Sequence, residues 1–232
     1  MKVLSMRLSV VLSLIPQGGV VADVGCDHGL LSVAIAQDKR WQGVIAMDIS
    51  RDAVEKARAQ LAPYFDVYAH VRQSNGLSAL LEGEARTVVM AGMGGMLMVE
   101  LLNAGQDKLQ GAALVLQPQG SAVFVRVWLH RHGYAVRMER LVQEDGWWYE
   151  VMLAVPGIQG YADEAGYLLG HLQDEPLWPA YLKRLKKRFS GAPDVIETMQ
   201  AAGRSALAAR QLALVRAEMA RISRAFAGAS LP

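Results

Sequence analysis

Asp23-Val24-Gly25-Cys26-Asp27-His28-Gly29 lies between an apolar run, Val20 to Val24, and a helix-like segment that begins near Leu30. A strand, a glycine turn and a helix in that order form a nucleotide-cofactor pocket. A second apolar run, Gly43 to Met47, ends in Asp48, whose carboxylate can accept hydrogen bonds from both hydroxyls of a ribose. The pairing predicts a Rossmann-like cofactor site.

The spacing of the glycines separates the candidate cofactors. A dinucleotide fold uses G-x-G-x-x-G so that the backbone can approach a pyrophosphate at the helix N-terminus. Here Asp27 and Leu30 stand where the second and third glycines belong. The looser acidic-x-Gly-x-x-x-Gly pattern of S-adenosylmethionine enzymes fits Asp23, Gly25 and Gly29. Asp23 and Asp27 would repel a pyrophosphate, but they suit the ammonium and sulfonium charges of S-adenosylmethionine. The plain alternative is a tight strand-to-helix turn with no ligand, and a nicotinamide dehydrogenase is disfavoured by Asp27 and Leu30.

Outward from this stretch, short strands alternate with helices. Strands are predicted near Val20 to Val24, Gly43 to Asp48, Asp66 to Arg72, Thr87 to Ala91 and Ala112 to Leu116. Helices are predicted near Leu30 to Gln37, Asp52 to Ala62, Met96 to Leu102 and Ala122 to His132. Such alternation builds a parallel sheet wound on both faces. It changes at Tyr134: the runs Tyr134 to Val142 and Trp147 to Val155 flank Glu144-Asp145-Gly146, a hairpin signal. A closing antiparallel pair of this kind is the usual end of the S-adenosylmethionine methyltransferase fold.

At the N-terminus, Leu4, Leu8, Leu12 and Ile15 predict one apolar face of an amphipathic helix rather than a signal peptide, since no small-residue cleavage site follows. No run approaches membrane-spanning length. Pro156 to Gly170, rich in glycine, reads as a linker. Beyond it Trp178, Leu182, Leu185 and Phe189 recur at helical spacing after Pro176 and Pro179. Ser190-Gly191-Ala192-Pro193 breaks the run, and Leu212, Val215, Met219, Ile222 and Phe226 mark a longer helix. Two such seams joined by a turn predict an antiparallel coiled-coil hairpin, with Ala201, Ala202, Ala208 and Ala209 allowing close approach. The expected domains are therefore residues 1–160, an α/β methyltransferase-like unit, and residues 161–232, a helical coiled-coil unit.

The 232 residues are 52% hydrophobic, ample for a buried core. Cys26 is the one cysteine, so no disulfide or cysteine metal cluster can form within the chain, and the histidines lack ligand-like spacing. This predicts a cytoplasmic protein with no metal and no membrane; the sequence leaves the oligomeric state open, with a monomer favoured. Net charge is only +2, but residues 1–182 carry 14 basic against 19 acidic side chains and residues 183–232 carry 10 against 3. A basic appendage on an acidic body points to a polyanion such as RNA. The alternative for Lys183, Arg184, Lys186, Lys187 and Arg188 is a solvated helix face.

The remaining site signals sit at predicted strand ends. Ser74-Asn75-Gly76 offers an amide to a cofactor adenine, and is also a common turn. Ala91-Gly92-Met93-Gly94-Gly95 is rarer: glycines before a helix let the backbone close over a cofactor and leave room for a flat base to reach the methyl group. The Asn/Asp-Pro-Pro-aromatic tetrapeptide of exocyclic-amine methylation is absent, and so is a Pro-Cys nucleophile. A ring nitrogen with a free lone pair remains as acceptor, needing only alignment and stabilisation of the cationic product.

These blocks together resemble the bacterial tRNA (adenine-22-N1)-methyltransferase family. They are Leu4-Ser5-x-Arg7-Leu8, Ala22-Asp23-Val24-Gly25-x-Asp27-His28, Asn75-Gly76-Leu77, Ala91-Gly92-Met93-Gly94-Gly95, Leu116-Gln117-Pro118, and Glu144-Asp145 before Tyr149-Glu150, in family order. The chain departs from the pattern in having Gly29-Leu30 where Ala-Tyr is common. It also has Met47-Asp48-Ile49 where Gly-Glu-Val is common, which keeps the carboxylate. The resemblance implies S-adenosyl-L-methionine as donor and N1 of an adenine in the tRNA D-arm region as acceptor. It implies cofactor contacts at Asp23, Gly25, Asp27, His28, Gly29, Asp48, Asn75, Gly76, Ala91, Gly92 and Gly94, with Cys26, Ile49 and Met93 beside them.

On the acceptor side the candidates are Gln117 to bind the adenine and Asp27 or His28 to take a proton from its amino group. Arg7, Gly95, Lys183, Lys186 and Lys187 are the candidates for holding the RNA. His28 has the alternative of capping the helix, and Gln117 of satisfying a backbone group. Other functional readings are a methyltransferase acting on another RNA or a small molecule, and a non-catalytic S-adenosylmethionine- or RNA-binding module.

Overall fold

The computed structural model describes residues 4–64, 68–158, 161 and 164–188. The chain divides into two compact units, residues 1–160 and 161–232.

The first unit is a seven-stranded mixed Rossmann-like sheet in the order β3-β2-β1-β4-β5-β7-β6. Its strands are β1 (Val20–Val24), β2 (Gly43–Asp48), β3 (Tyr68–Gln73), β4 (Thr87–Met93), β5 (Ala113–Pro118), β6 (Tyr134–Glu144) and β7 (Trp147–Pro156). The first five are parallel, β7 runs antiparallel to β5, and β6 antiparallel to β7. The helices are α1 (Met6–Leu14), α2 (Leu30–Gln37), α3 (Arg51–Leu61), α4 (Gly95–Ala104), α5 (Gln106–Leu109) and α6 (Ala122–Arg131). Central strands read as continuous aliphatic runs because helices cover both faces. Val21, Val44, Val88 and Leu114 are accordingly fully buried. The order reverses between β1 and β4, which opens a crevice at their carboxyl ends.

Several expectations shift. The buried face of α1 is Val11 and Leu14, with Arg7 one turn before Val11 on the same stripe. Of the expected stripe Ile15 is buried, whereas Leu4, Leu8 and Leu12 are only half-buried, because α1 packs against β6 and β7 with one side and α2 with another. The fourth strand runs past Ala91 to Met93 through a bulge, and the fifth runs on to Pro118. Residues 65–67, at the expected start of the third strand, lie outside the described residues.

The β6–β7 turn has Asp145 at φ 49° and Gly146 at φ 76°, the two-residue geometry that follows the strand twist. Arg126 on α6 is buried and donates through Nε to Glu139 at 2.8 Å, and it also pairs with Glu150, tying the helix to both strands of the hairpin.

In the second unit, α7 (Glu164–Leu169) occupies what reads as a linker. Gly166 weakens the helical signal, yet a Cβ there would stand 2.5 Å from that of Tyr161, so close packing explains the glycine. The next helix, α8 (Trp178–Arg188), has Pro179 in its first turn, where a missing N–H costs no bond. It buries Trp178, Tyr181 and Leu185, so Tyr181 takes the place expected of Leu182. Phe189, the break at Ser190 to Pro193 and the second helix of the expected hairpin lie outside the described residues. No described helix is long and apolar enough to cross a membrane.

Candidate active site

The parallel strands deliver most of the candidate residues to one rim. Gly25 follows β1, Asp48 closes β2, Asn75 and Gly76 follow β3, Ala91 to Met93 end β4, and Gln117 lies near the end of β5. Because these strands are parallel and in close register, their carboxyl ends coincide.

The loop after β1 is bound to β2 by its backbone. Gly25 and Cys26 both donate N–H to the Met47 carbonyl, at 2.8 and 3.0 Å. Gly25 sits at φ 77°, and a Cβ there would meet Met93 Cε at 3.0 Å, so Met93 lies against the loop. Gly29 at φ 71° is the N-cap of α2, and a Cβ there would press on Ala57 at 3.1 Å. The capping alternative for His28 therefore falls away. Asp48 accepts from the Asp27 N–H (3.0 Å) and the Ser50 N–H (2.9 Å), which aims its carboxylate between the loop and α3. Ile49 beside it is 64% exposed, an apolar surface on an otherwise polar rim.

Asp23 is buried and accepts from Ser32 Oγ at 2.5 Å. Burial raises its carboxyl to about 6 against this hydrogen bond, and the Asp48 charge adds to the rise. Burial likewise pushes the Cys26 thiol up, with Asp23 and Asp48 contributing, so this thiol is no nucleophile. His28 Nδ1 lies 2.8 Å from Asp27 Oδ1, with the two side chains 50% and 75% exposed. Ser74 ties the third loop together: its Oγ donates to the Gly76 carbonyl at 2.8 Å and accepts from the Ala79 N–H at 3.0 Å.

Gln117 lies inside the protein. It is fully buried, and its Oε1 accepts from both Arg7 Nη1 (2.6 Å) and the Gly92 N–H (3.1 Å). Its Nε2 donates to the Pro118 carbonyl at 3.1 Å. It satisfies backbone groups, the alternative role read from the sequence, and it holds Arg7. Arg7 lies with its guanidinium 5.4 Å from the centre of the Tyr149 ring, and its N–H donates to Glu144 Oε1 at 3.3 Å. Separate sequence blocks thus meet at one arginine, a convergence that no local pattern signals.

Gly94 and Gly95 differ. A Cβ on Gly94 would meet nothing within 4 Å, whereas one on Gly95 would strike the Ser121 carbonyl at 2.6 Å and that of Gly120 at 2.9 Å. Gly95 is buried against the Gly120-Ser121 turn that precedes α6. Lys183 is exposed on α8, and the side chains of Lys186 and Lys187 lie outside the described residues. Among the described residues no group of three or more His, Cys, Asp or Glu could hold a metal ion. Ser32, which holds Asp23, is the site residue that the sequence reading misses. It lies inside a helix pattern and carries no motif.

The rim fits a nucleoside ligand with a cationic tail: positive-φ glycines at the loop, open space at Gly94, a carboxylate closing the second strand, an exposed apolar side chain and a buried acid. This combination defines a methyltransferase, and the family described as methyltransferase domain matches residues 4–152. Over 206 residues the chain is 34% identical to the tRNA (adenine(22)-N(1))-methyltransferase of Bacillus subtilis (strain 168), covering 86% of this chain and 87% of that one. The crystal structure of the B. subtilis M1A22 tRNA methyltransferase TrmK superposes with a TM-score of 0.77 at 31% identity, over 96% of this chain and 98% of that one. Streptococcus pneumoniae Sp1610 in complex with S-adenosyl-L-methionine gives 0.78 at 26% identity, over 86% and 97%. The chain belongs to the bacterial tRNA (adenine(22)-N(1))-methyltransferase family.

Proposed function

We infer that this chain methylates N1 of adenine 22, in the D-arm region of tRNA, with S-adenosyl-L-methionine as donor. The observation that carries the reading is the meeting of the Gly92–Gly94 block with Arg7, Gln117 and Tyr149 beside the Asp23–Asp48 loop system. Such a meeting would accommodate a flat acceptor and a polyanionic strand next to a cofactor rim.

When bound, S-adenosylmethionine supplies an electrophilic methyl group on sulfur. The adenine N1 lone pair needs no prior deprotonation, so positioning does most of the work. Asp48 would hold the ribose hydroxyls, Asp23 and Asp27 would face the cationic amino acid end, and Asn75 with Ile49 would border the cofactor adenine. Gly92 and Gly94, without side chains, leave space for the acceptor ring. Methylation makes the adenine cationic. With His28 Nδ1–H donated to Asp27, Nε2 is the basic atom that can take the amino proton.

Residues 1–160 form the catalytic domain in this reading, and residues 161–232 a helical coiled-coil domain that assists tRNA binding through the surplus of basic residues beyond 182. The protein acts as a monomer in the cytoplasm. The test is transfer of radiolabelled methyl from S-adenosylmethionine to unmodified tRNA carrying adenine or guanine at position 22. Label confined to the adenine transcript and recovered as 1-methyladenosine supports the reading. Label on neither, with cofactor bound, overturns it in favour of another RNA or a non-catalytic module.

A further inference from the structure

The β6–β7 hairpin ends in an aromatic side chain that the core does not use. Trp147 is 63% exposed, although Val151 on the same strand face is fully buried. Its backbone is fixed, because Glu144 pairs with Trp147 across the tight Asp145-Gly146 turn and closes the ladder there. The side chain is thus presented from a rigid element rather than a loop.

Register locates it. β5 and β7 pair Leu114 with Ala154 and Leu116 with Met152, so Glu150 falls opposite Pro118, the last residue of β5. Trp147 lies three residues further on, roughly 10 Å beyond the carboxyl edge of the sheet. Only β5 stands between β7 and β4, so the Gly92–Gly94 block is roughly 10 Å to the side. Tyr149 shares the face of Trp147 and carries the Arg7 guanidinium at 5.4 Å. An indole face and a cation therefore stand together at the acceptor side of the rim, at the distance of a neighbouring nucleotide rather than of the reacting base.

We propose that Trp147 is a stacking platform for a nucleobase of the tRNA flanking the target adenine, with Arg7 supplying the adjacent positive charge. The proposal rests on the tRNA reading above. Every base offers a π-face, so an exposed aromatic ring beside a cation holds a displaced strand without reading its sequence.

The test uses the full chain and an adenine-22 tRNA transcript, comparing wild type with Trp147→Ala, Trp147→Leu and Trp147→Phe. Equilibrium tRNA binding, KM and kcat for methylation, cofactor affinity and thermal midpoint are measured. Trp147→Ala should raise the tRNA Kd and KM roughly 5- to 150-fold, the equivalent of losing one base–aromatic stack. Cofactor affinity and thermal midpoint should stay unchanged, and Trp147→Phe should recover most of the loss. Trp147→Leu keeps apolar bulk without a ring, so tRNA affinity equal to wild type in this variant would overturn stacking whatever Trp147→Ala does. A wild type that methylates tRNA beside an unaffected Trp147→Ala removes this inference alone. A wild type that neither binds nor methylates tRNA removes the tRNA reading with it.

Discussion

Asp23, the fourth residue of β1, is buried with the Ser32 hydroxyl as its hydrogen-bond partner, and its carboxyl stands at about 6 where 3.8 is ordinary. The folded chain therefore binds this proton more tightly than the unfolded chain. The stability it contributes is full below pH 3.8 and is lost as pH rises through about 6, a loss of about 3 kcal/mol. Asp23→Asn should remove this loss. The thermal midpoint of the cofactor-free variant should exceed that of wild type at pH 7.5, and the difference should narrow toward pH 4. A cofactor ammonium near Asp23 favours its ionised form, so affinity for S-adenosylmethionine in wild type should rise between pH 5 and 7 and level off above. Calorimetric titration across that range checks this, and a flat profile would count against Asp23 as a cofactor residue. Gln117 gives a second prediction at this scale. Gln117→Leu leaves the Arg7 guanidinium and the Gly92 N–H without their acceptor, and such losses cost about 1–3 kcal/mol each. Thermal unfolding should register the change, and methyl transfer to tRNA should fall more than cofactor affinity.

At the scale of elements, the junction of β4 and α4 sets two adjacent glycines to different tasks. Gly95→Ala would drive a methyl into the Ser121 and Gly120 carbonyls, an overpacking that costs about 1–3 kcal/mol and should lower the thermal midpoint. Gly94→Ala meets no protein atom, so the midpoint should hold while cofactor affinity or methyl transfer drops. If both variants unfolded early, the junction would be purely structural. The parallel core around this junction was legible in the sequence because strands buried on both faces appear as unbroken aliphatic runs. The cofactor loop was legible because glycine spacing reports backbone conformation directly, as Gly25 and Gly29 at positive φ illustrate. What stayed hidden depended on partners distant in sequence. The leucine stripe of α1 and its Arg7-Val11-Leu14 stripe have equally good periodicity, and only the presence of β6 and β7 decides between them. The same holds for Gln117, whose two donors come from α1 and β4. The helix α7 was obscured by Gly166, which close packing against Tyr161 requires and helix propensity disfavours.

At the scale of the whole molecule, the charge divide falls inside the second unit: residues 1–160 carry 14 basic against 15 acidic side chains, residues 161–182 none against four, and all ten basic side chains of the second unit lie beyond 182. Residues 1–182 carry an acidic surplus of five and residues 183–232 a basic surplus of seven. The catalytic body is close to neutral overall and gives a polyanion little long-range attraction of its own, so Arg7 and Trp147 would hold the target by local contacts. The basic surplus would then supply the sequence-independent attraction, while the rim supplies alignment. A chain ending at residue 160 keeps every strand of the sheet and every residue of the candidate cofactor rim. It should bind S-adenosylmethionine as the full chain does. Its tRNA affinity should collapse, and the slope of log K against log salt should flatten by about 0.7–0.9 for each phosphate contact removed with the basic segment. Filter binding of tRNA between 50 and 200 mM salt, run beside cofactor titration of the same preparation, separates the outcomes. Unchanged affinity and slope in the shortened chain would move the whole tRNA interface onto the first unit, because no other part of the chain would be left to bear it.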